Sequence, residues 1–517
     1  MYGKVLSACL HGIEGKIIEV ESDLSNGLPQ VFIVGLPDSA VRESIDRVRA
    51  AIKNCGFTFP LQRITINLAP ADLRKEGSAF DLAIALGILL TSGQIRGAEL
   101  EKTLILGELA LDGTIRPVPG VLSMVATAKK LGMTRIVLPR QNVQEALLIR
   151  DIAVCPLSNL SELKEMNDTI AFNDINDSLP LSASSPSESA GAGQDDFADV
   201  CGQLQAKRAL TICAAGLHNV LFIGPPGTGK TMLIRRLPTI LPEMSEAEAL
   251  EVTKIYSASG KLADRGHLIR SRPFRAPHHT VSPAGLIGGG SIPKPGEVSL
   301  AHRGVLFLDE LPEFQRNVLE VLRQPLEDRR VTIGRARAVY TFPSHFILAG
   351  SMNPCPCGYL GTDGASQACR CSPLKIDQYR SRISGPLLDR IDLHVEVPRV
   401  DFAAFTSQDK PLSSAQMKQA VERARQAQLE RYGGLTVQFN GELSGKPLRQ
   451  FCRLKPSALS LLSASFDALG LSVRAHDRVL KIARTIADLD GSPDILEQHV
   501  AEALQYRTLD KKPMQPS

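Results

Sequence analysis

The sequence predicts an α/β protein in three parts, the last of them helical, and three observations lead there. Val220-Leu221-Phe222-Ile223 is a short apolar run that leads directly into Gly224-Pro225-Pro226-Gly227-Thr228-Gly229-Lys230-Thr231, after which helical spacing begins. Residues 182–193 are Ser, Ala, Gly, Pro and Glu, from which no core is built, so they read as a flexible linker. Beyond Val400 the pattern turns helical, over 415–432 and 474–489. The expected division is an α/β domain over 1–170, a linker over 171–196, a second α/β domain over 197–400 and a helical domain over 401–517.

Each part follows from its own pattern. Within 1–170, strand-like runs at 17–20, 31–34 and 64–67 alternate with helical spacing at 41–52 and a continuous apolar run at 82–90. From Phe197 to Pro398 strands and helices alternate again around the glycine-rich loop. The chain of 517 residues has room for two to four domains with real cores.

Composition excludes more than it assigns. Lys and Arg number 59 against 55 Asp and Glu, so bulk charge says nothing about nucleic acid and any such signal must be local. The apolar stretch 80–90 contains Asp81 and falls short of the roughly 20 residues that span a bilayer, so no membrane contact is expected. His11, Glu14 and Lys16 interrupt the start of the chain, which argues against a signal peptide and for a cytoplasmic protein. In that compartment the ten cysteines read as thiols or metal ligands rather than disulfides.

The glycine-rich segment matches a phosphate-binding P-loop in its proper setting, between a strand and a helix. Its glycines let backbone N–H groups curl around phosphates, and the following helix start adds favourable partial charge. Lys230 would reach the β- and γ-phosphates of ATP, and Thr231 offers a hydroxyl to Mg²⁺. The apolar run 304–308 ends in Asp309 and Glu310, the first placed to hold Mg²⁺ and the second to polarise an attacking water.

Three further residues enter through resemblance to AAA+ ring ATPases. Asn353, at the tip of the strand-like run 346–349, falls where that family places its sensor-1 residue. The segment 384–392 resembles an arginine-finger segment, which implies that Arg390 enters a neighbouring subunit's site. Arg474, heading a helical run, resembles the sensor-2 arginine. A finger acting between subunits implies an oligomer, most simply a hexameric ring.

Lys230 and Asp309 lie 79 residues apart, far more than one helix and one strand require. After Asp309, residues 329–340 read as a hairpin with its turn near Gly334, and 329–337 hold four arginines and no acid. These features resemble the helix-2 insert and pre-sensor-1 hairpin of the branch containing magnesium-chelatase motors. Arg330, Arg335 and Arg337 are candidate DNA contacts that would neutralise phosphates without reading sequence; a solvated basic ribbon is the other reading. His278 and His279, adjacent after a proline, read as loop polar groups rather than metal ligands.

Cys355, Cys357, Cys369 and Cys371 form two Cys-x-Cys pairs separated by eleven residues rich in turn formers. Four thiolates so spaced suit a tetrahedral structural Zn²⁺, although Cys-x-Cys is tighter than the usual pair, and redox-active thiols are the alternative.

Segments 75–83 and 107–118 resemble the Lon-protease fold (ribosomal S5 domain 2-like). The alignment puts Gly77 at the nucleophile position and Leu122 at the lysine position, so the expected domain lacks the catalytic dyad. A Lon-like domain, a linker, an AAA+ P-loop NTPase core with the cysteine insert and a helical lid together resemble the ComM/YifB family along essentially the whole chain. That resemblance implies a hexameric, ATP-dependent DNA motor with helicase and branch-migration activity during natural transformation. A magnesium-chelatase motor and an ATP-driven protein-remodelling factor or protease adaptor are the rivals.

Overall fold

A computed structural model describes residues 1–96, 100–165, 195–262, 266–290, 293–335, 338–361, 368–399, 411–469 and 471–507. The linker expected over 171–196 therefore lies outside the described residues except for Asp195 and Asp196, as do Arg337 and residues 362–367 of the cysteine insert.

The first part is a seven-stranded mixed sheet. Its strands are β1 (Tyr2–His11), β2 (Glu14–Ser25), β3 (Val31–Val34), β4 (Arg63–Ala69), β5 (Thr103–Ile105), β6 (Arg135–Pro139) and β7 (Ala153–Leu157). Their order is β3-β4-β2-β1-β5-β6-β7. Helices α2 (Asp81–Thr91) and α3 (Val121–Lys130) pack on it, and α1 (Ser39–Asn54) packs against α2. The continuous apolar run 82–90 is explained by α2, which is buried nearly all round, unlike a helix with one wet face. Asp81 opens that helix fully buried, and Arg47 at 2.8 Å and the Leu109 N–H at 3.2 Å satisfy it.

The second part is built on a parallel five-stranded sheet. Helix α4 (Leu204–Gly216) leads into β8 (Val220–Ile223), α5 (Lys230–Arg235) and α6 (Glu246–Ala258). Strands β9 (Phe274–Arg275) and β10 (Val305–Leu308) follow, then α7 (Arg323–Asp328) and the hairpin β11 (Arg330–Arg335) and β12 (Ala338–Pro343). Strand β13 (Ile347–Met352), α8 (Pro373–Arg380) and β14 (Leu393–Glu396) complete it. The sheet order is β9-β10-β13-β8-β14. Every residue of β8, β10 and β13 is buried, as expected of parallel strands covered on both faces. The helix expected after the P-loop is short: α5 ends at Arg235, because Pro238 starts a 3₁₀ turn over Leu237–Ile240.

The chain closes with α9 (Ser414–Tyr432), α10 (Pro456–Leu469), α11 (Val473–Leu489) and α12 (Glu497–Gln505). Ser472 caps α11 through the Ala475 N–H, and the helix turns Val479, Ile482, Ala483 and Ile486 into a core shared with α4, β8 and β14. The helical part thus seats directly on the parallel sheet.

The first part also touches the second. Ile13, in the β1–β2 turn, joins the apolar cluster of Val331, Tyr340 and Phe342 in the hairpin. His11 lies over the Tyr340 ring at 4.8 Å between centroids, and the Tyr340 phenol donates to Glu76 at 3.4 Å. Buried Glu145 accepts from the Leu122 N–H at 3.0 Å and from the hydroxyl of Ser257 on α6.

Two sequence readings gain detail. The expected hairpin is present, and Gly334 pairs with Val339 and Arg335 with Ala338, so Gly334 itself sits in β11, one residue before that strand ends. In the segments expected to be Lon-like, the Ser78 hydroxyl donates to the Glu108 carboxylate, and Leu122 is fully buried. Ser78 faces an acid, which gives it no base of the amine type.

Candidate active site

Parallel strands bring their C-terminal ends to one edge, and loops leaving that edge converge. Phe222 pairs with Ser351 and Leu308 with Gly350, so the ends of β8, β10 and β13 stand side by side. The P-loop leaves β8, Asp309 and Glu310 leave β10, and Asn353 leaves β13. Residues 123 positions apart in the chain meet there: the Lys230 ammonium donates to the Asn353 side-chain oxygen at 3.3 Å, and to the Gly224 and Pro225 carbonyls at 2.6 and 2.7 Å. Gly229 begins α5 at φ +83°, a conformation that costs a residue with a Cβ.

Thr231 donates its hydroxyl to Asp309 at 2.9 Å, which places two hard oxygen donors together in the manner of a Mg²⁺ partner pair. Burial lowers the Lys230 ammonium, with Asp309 and Glu310 pulling the other way. Asp309 is half-buried, whereas Glu310 is exposed with its backbone in the left-handed region at φ +53°. Glu310 is thus the acid open to a water molecule. Thr228 donates to the Pro225 carbonyl at 3.0 Å and keeps the loop closed, leaving Pro226 and Gly227 at its exposed tip.

Two residues here were not singled out from sequence. Ser351 donates to the Asp309 carboxylate, and its oxygen accepts from the Glu310 N–H at 3.3 Å. The Gln203 amide reaches the Thr228 carbonyl at 3.4 Å and the Pro398 carbonyl at 2.8 Å. A small polar residue two places before Asn353 was the available signal for Ser351; Gln203 carries none, since its partners lie 25 and 195 residues away.

Arg390 is not beside the P-loop. Its carbonyl accepts from the Asn219 side chain at 2.8 Å, and Asn219 precedes β8, whereas the P-loop follows it. Four residues of strand, about 13 Å, separate the two ends. The Arg390 guanidinium donates to Pro386 at 2.6 Å and pairs with Glu327. That hydrogen bond and charge hold the Glu327 carboxyl below its usual range, with a smaller contribution from Arg474. Exposed Arg474 therefore stands near Arg390, at the N-terminal end of the sheet.

Arg330 and Arg335 are exposed on the hairpin, Arg335 donating to the Gly290 carbonyl at 2.7 Å. Arg329, the first of the four arginines, is taken by Glu442 at 2.8 Å and belongs to the hairpin root. His278 stacks on His279 at 4.0 Å and meets the Thr280 hydroxyl at 2.9 Å.

The four cysteines of the insert are gathered, with all four sulfurs within 4.8 Å of one another. The sulfur separations Cys355–Cys369 at 3.7 Å and Cys357–Cys369 at 3.6 Å suit a tetrahedron of about 2.3 Å Zn–S bonds. Cys355–Cys357, at 3.3 Å, is tighter than that. The Tyr359 backbone N–H leads the contacts that hold the Cys357 thiol down at about 6. The insert abuts the P-loop, since a Cβ on Gly358 would fall 2.7 Å from Pro226.

Comparison with known proteins agrees along the whole chain. Family models described as "Magnesium chelatase, subunit ChlI", "Subunit ChlI of Mg-chelatase" and "Magnesium chelatase, subunit ChlI C-terminal" match residues 196–405, 20–142 and 411–507. The chain is 45% identical to "Competence protein ComM" of Haemophilus influenzae over 511 residues, covering 98% of this chain and 97% of that one. It is 44% identical to "Uncharacterized protein YifB" of Escherichia coli over 503 residues, covering 97% and 96%. The "Magnesium-chelatase 38 kDa subunit" of Cereibacter sphaeroides is 23% identical over 324 residues, 88% of its own length but 59% of this chain. No helix among the described residues is long and apolar enough to cross a membrane. Parallel P-loop core, helical C-terminal part and near full-length identity converge: the chain belongs to the ComM/YifB family of magnesium chelatase-like AAA+ proteins.

Proposed function

We propose that the chain is one subunit of a hexameric ring that hydrolyses ATP to move along DNA, driving helicase action and branch migration in homologous recombination during natural transformation. One observation carries the ring: Arg390 and the P-loop sit at opposite ends of one sheet, so the arginine serves a neighbour's phosphate and not its own. Exposed Arg330 and Arg335 support DNA as the track, and so does the 45% identity to a protein named for competence.

Bound ATP with Mg²⁺ supplies the γ-phosphoryl group and the divalent charge that neutralises it. The chain's residues do the rest. P-loop N–H groups and Lys230 hold the phosphates, and Thr231 and Asp309 offer the oxygen donors for Mg²⁺. Glu310 accepts the proton of the attacking water while Asn353 orients it. From the next subunit, Arg390 and Arg474 meet the charge that develops on the transferred group. Ser351 keeps Asp309 turned toward Thr231.

The deciding experiment measures ATP turnover with and without single-stranded and three-stranded DNA, alongside strand displacement. Stimulation by DNA with displacement is expected. Turnover indifferent to DNA, with no binding, sinks the DNA reading and favours protein remodelling. Cys355, Cys357, Cys369 and Cys371 hold one structural Zn²⁺ in this proposal. Metal analysis is expected to find it at unit stoichiometry and to lose it when all four become serine.

A further inference from the structure

The N-terminal end of the core sheet encloses a polar cavity of about 130 Å³, remote from the P-loop. Separate segments wall it: the hairpin root with Arg329, Ser344 and His345, the loop from Arg390 to Asp392, and helix α11 with Arg478 and Lys481. Glu442 completes the charged lining.

The charges do not balance. Four cations (Arg329, Arg390, Arg478 and Lys481) face two carboxylates, Asp392 and Glu442. Glu442 is engaged by Arg329 at 2.8 Å, and Asp392 by Arg478 at 3.7 Å and His218 at 3.5 Å. Burial alone would raise the Asp392 carboxyl, but the His218 hydrogen bond and the charges of Arg478 and Lys481 hold it below the usual range. His345 is neutral, because burial and the charges of Arg329 and Arg303 push its imidazolium down to about 2. Arg390 is balanced by Glu327, which lies outside the lining, so the cavity keeps a surplus of one positive charge.

Its donors are also underused. The Lys481 ammonium offers three N–H bonds and meets one acceptor among the described residues, the Gly441 carbonyl at 3.2 Å. Ser344 is 1% exposed, and its hydroxyl has no partner among the described residues. Cationic surplus and idle donors in a half-enclosed site are costly until an anion joins them. Organic ligand sites run to roughly 300–1,000 Å³, so this cavity is too small for a nucleotide and suits one tetrahedral oxyanion.

We propose that this cavity is a second oxyanion site, separate from the P-loop, which binds inorganic phosphate between the hairpin root and helix α11. Phosphate there bridges Lys481 and Arg478 on the helical part to Arg329 and Ser344 at the base of the hairpin, so occupancy ties the two together. If the ring reading of Arg390 holds, that arginine meets the neighbour's γ-phosphate, and the cavity behind it is the first anion site open to the released product. This source rests on the proposed function; the binding itself does not.

The test uses the full-length Lys230→Ala chain, which disables the P-loop as a phosphate site, titrated with inorganic phosphate against sodium chloride at matched ionic strength. Calorimetric binding and a rise in unfolding temperature specific to phosphate are expected. Adding Lys481→Met should weaken binding at least about tenfold, Lys481→Arg should retain it, and Ser344→Ala should weaken it a few-fold. Phosphate acting no differently from chloride overturns the proposal, as does unchanged affinity in both Lys481→Met and Ser344→Ala. Phosphate binding by a chain that forms no ring leaves the site standing and removes only the neighbour as its source.

Discussion

The two ends of the core sheet share strands but differ in chemistry. At the C-terminal end Lys230 stands with Thr231, Asp309, Glu310 and Asn353, a set that suits a phosphate chain and a hard cation. At the N-terminal end Arg329, Arg390, Arg478 and Lys481 crowd one cavity, with Arg474 nearby and the hairpin rooted beside it. Parallel pairing is the cause, because it collects all exits on one edge and all entries on the other. In the proposed ring each copy carries two incomplete halves, held about 13 Å apart by the strands between them. Joining one copy's entry edge to the next copy's exit edge is a head-to-tail contact, the kind that closes into a ring.

The sharpest way to break this comparison is to disable each end in a different chain. Arg390→Ala should lower ATP turnover about 10³-fold or more. Mixing it with equal Lys230→Ala chains should restore a measurable fraction, since one of the two orders of mixed contact pairs an intact P-loop with an intact arginine. No recovery in the mixture would mean that Arg390 acts within its own chain or not at all. Next in size, Glu310→Gln should slow hydrolysis about 10²- to 10⁴-fold while fluorescent ATP still binds. Loss of binding instead would move Glu310 from water to nucleotide.

The hairpin tests what the N-terminal end is for. Arg330→Ala with Arg335→Ala should weaken DNA binding evenly across sequences and flatten its salt dependence by about two in slope. An unchanged slope would leave the hairpin a solvated ribbon. The smallest expected effect is pH dependence. Burial, first, and neighbouring positive charge depress His345 to about 2 and His394 to about 3, against an ordinary value near 6.5. A depressed folded value means the unfolded chain binds the proton more readily, so stability is full above about pH 6.5 and falls as pH drops toward the folded values. Each histidine contributes at most about 1.4 kcal/mol per pH unit to that slope. His345→Gln should flatten it in thermal melts; an unaltered slope would show that His345 is not the group responsible.

Much of the C-terminal end was legible in the chain because its signals are local. The P-loop is eight consecutive residues, and Asp309-Glu310 closes an apolar run. The N-terminal end was legible only as separate arginines. Arg390 meets Glu327 across 63 residues and Arg329 meets Glu442 across 113, and no spacing rule pairs them. Arg329 looked like its hairpin neighbours in the sequence, yet an acid in the helical part removes it from the exposed set. Gly334 marked the neighbourhood of the turn, and strand register sets Gly334 itself in β11 opposite Val339. The cysteines were legible as a set, and folding brought the sulfurs together and pressed Gly358 against Pro226.

What the sequence alone determined was the inventory: an ATP-type phosphate loop, its acidic strand end, a basic hairpin, four paired cysteines and three parts in order. Those signals depend on backbone conformation and periodicity, which neighbouring residues set. Which end of the sheet each group occupies, and that Arg390 and the P-loop stand apart, only the tertiary structure decided. Parallel pairing of segments over a hundred residues apart fixes those positions, and a chain read residue by residue carries no record of it.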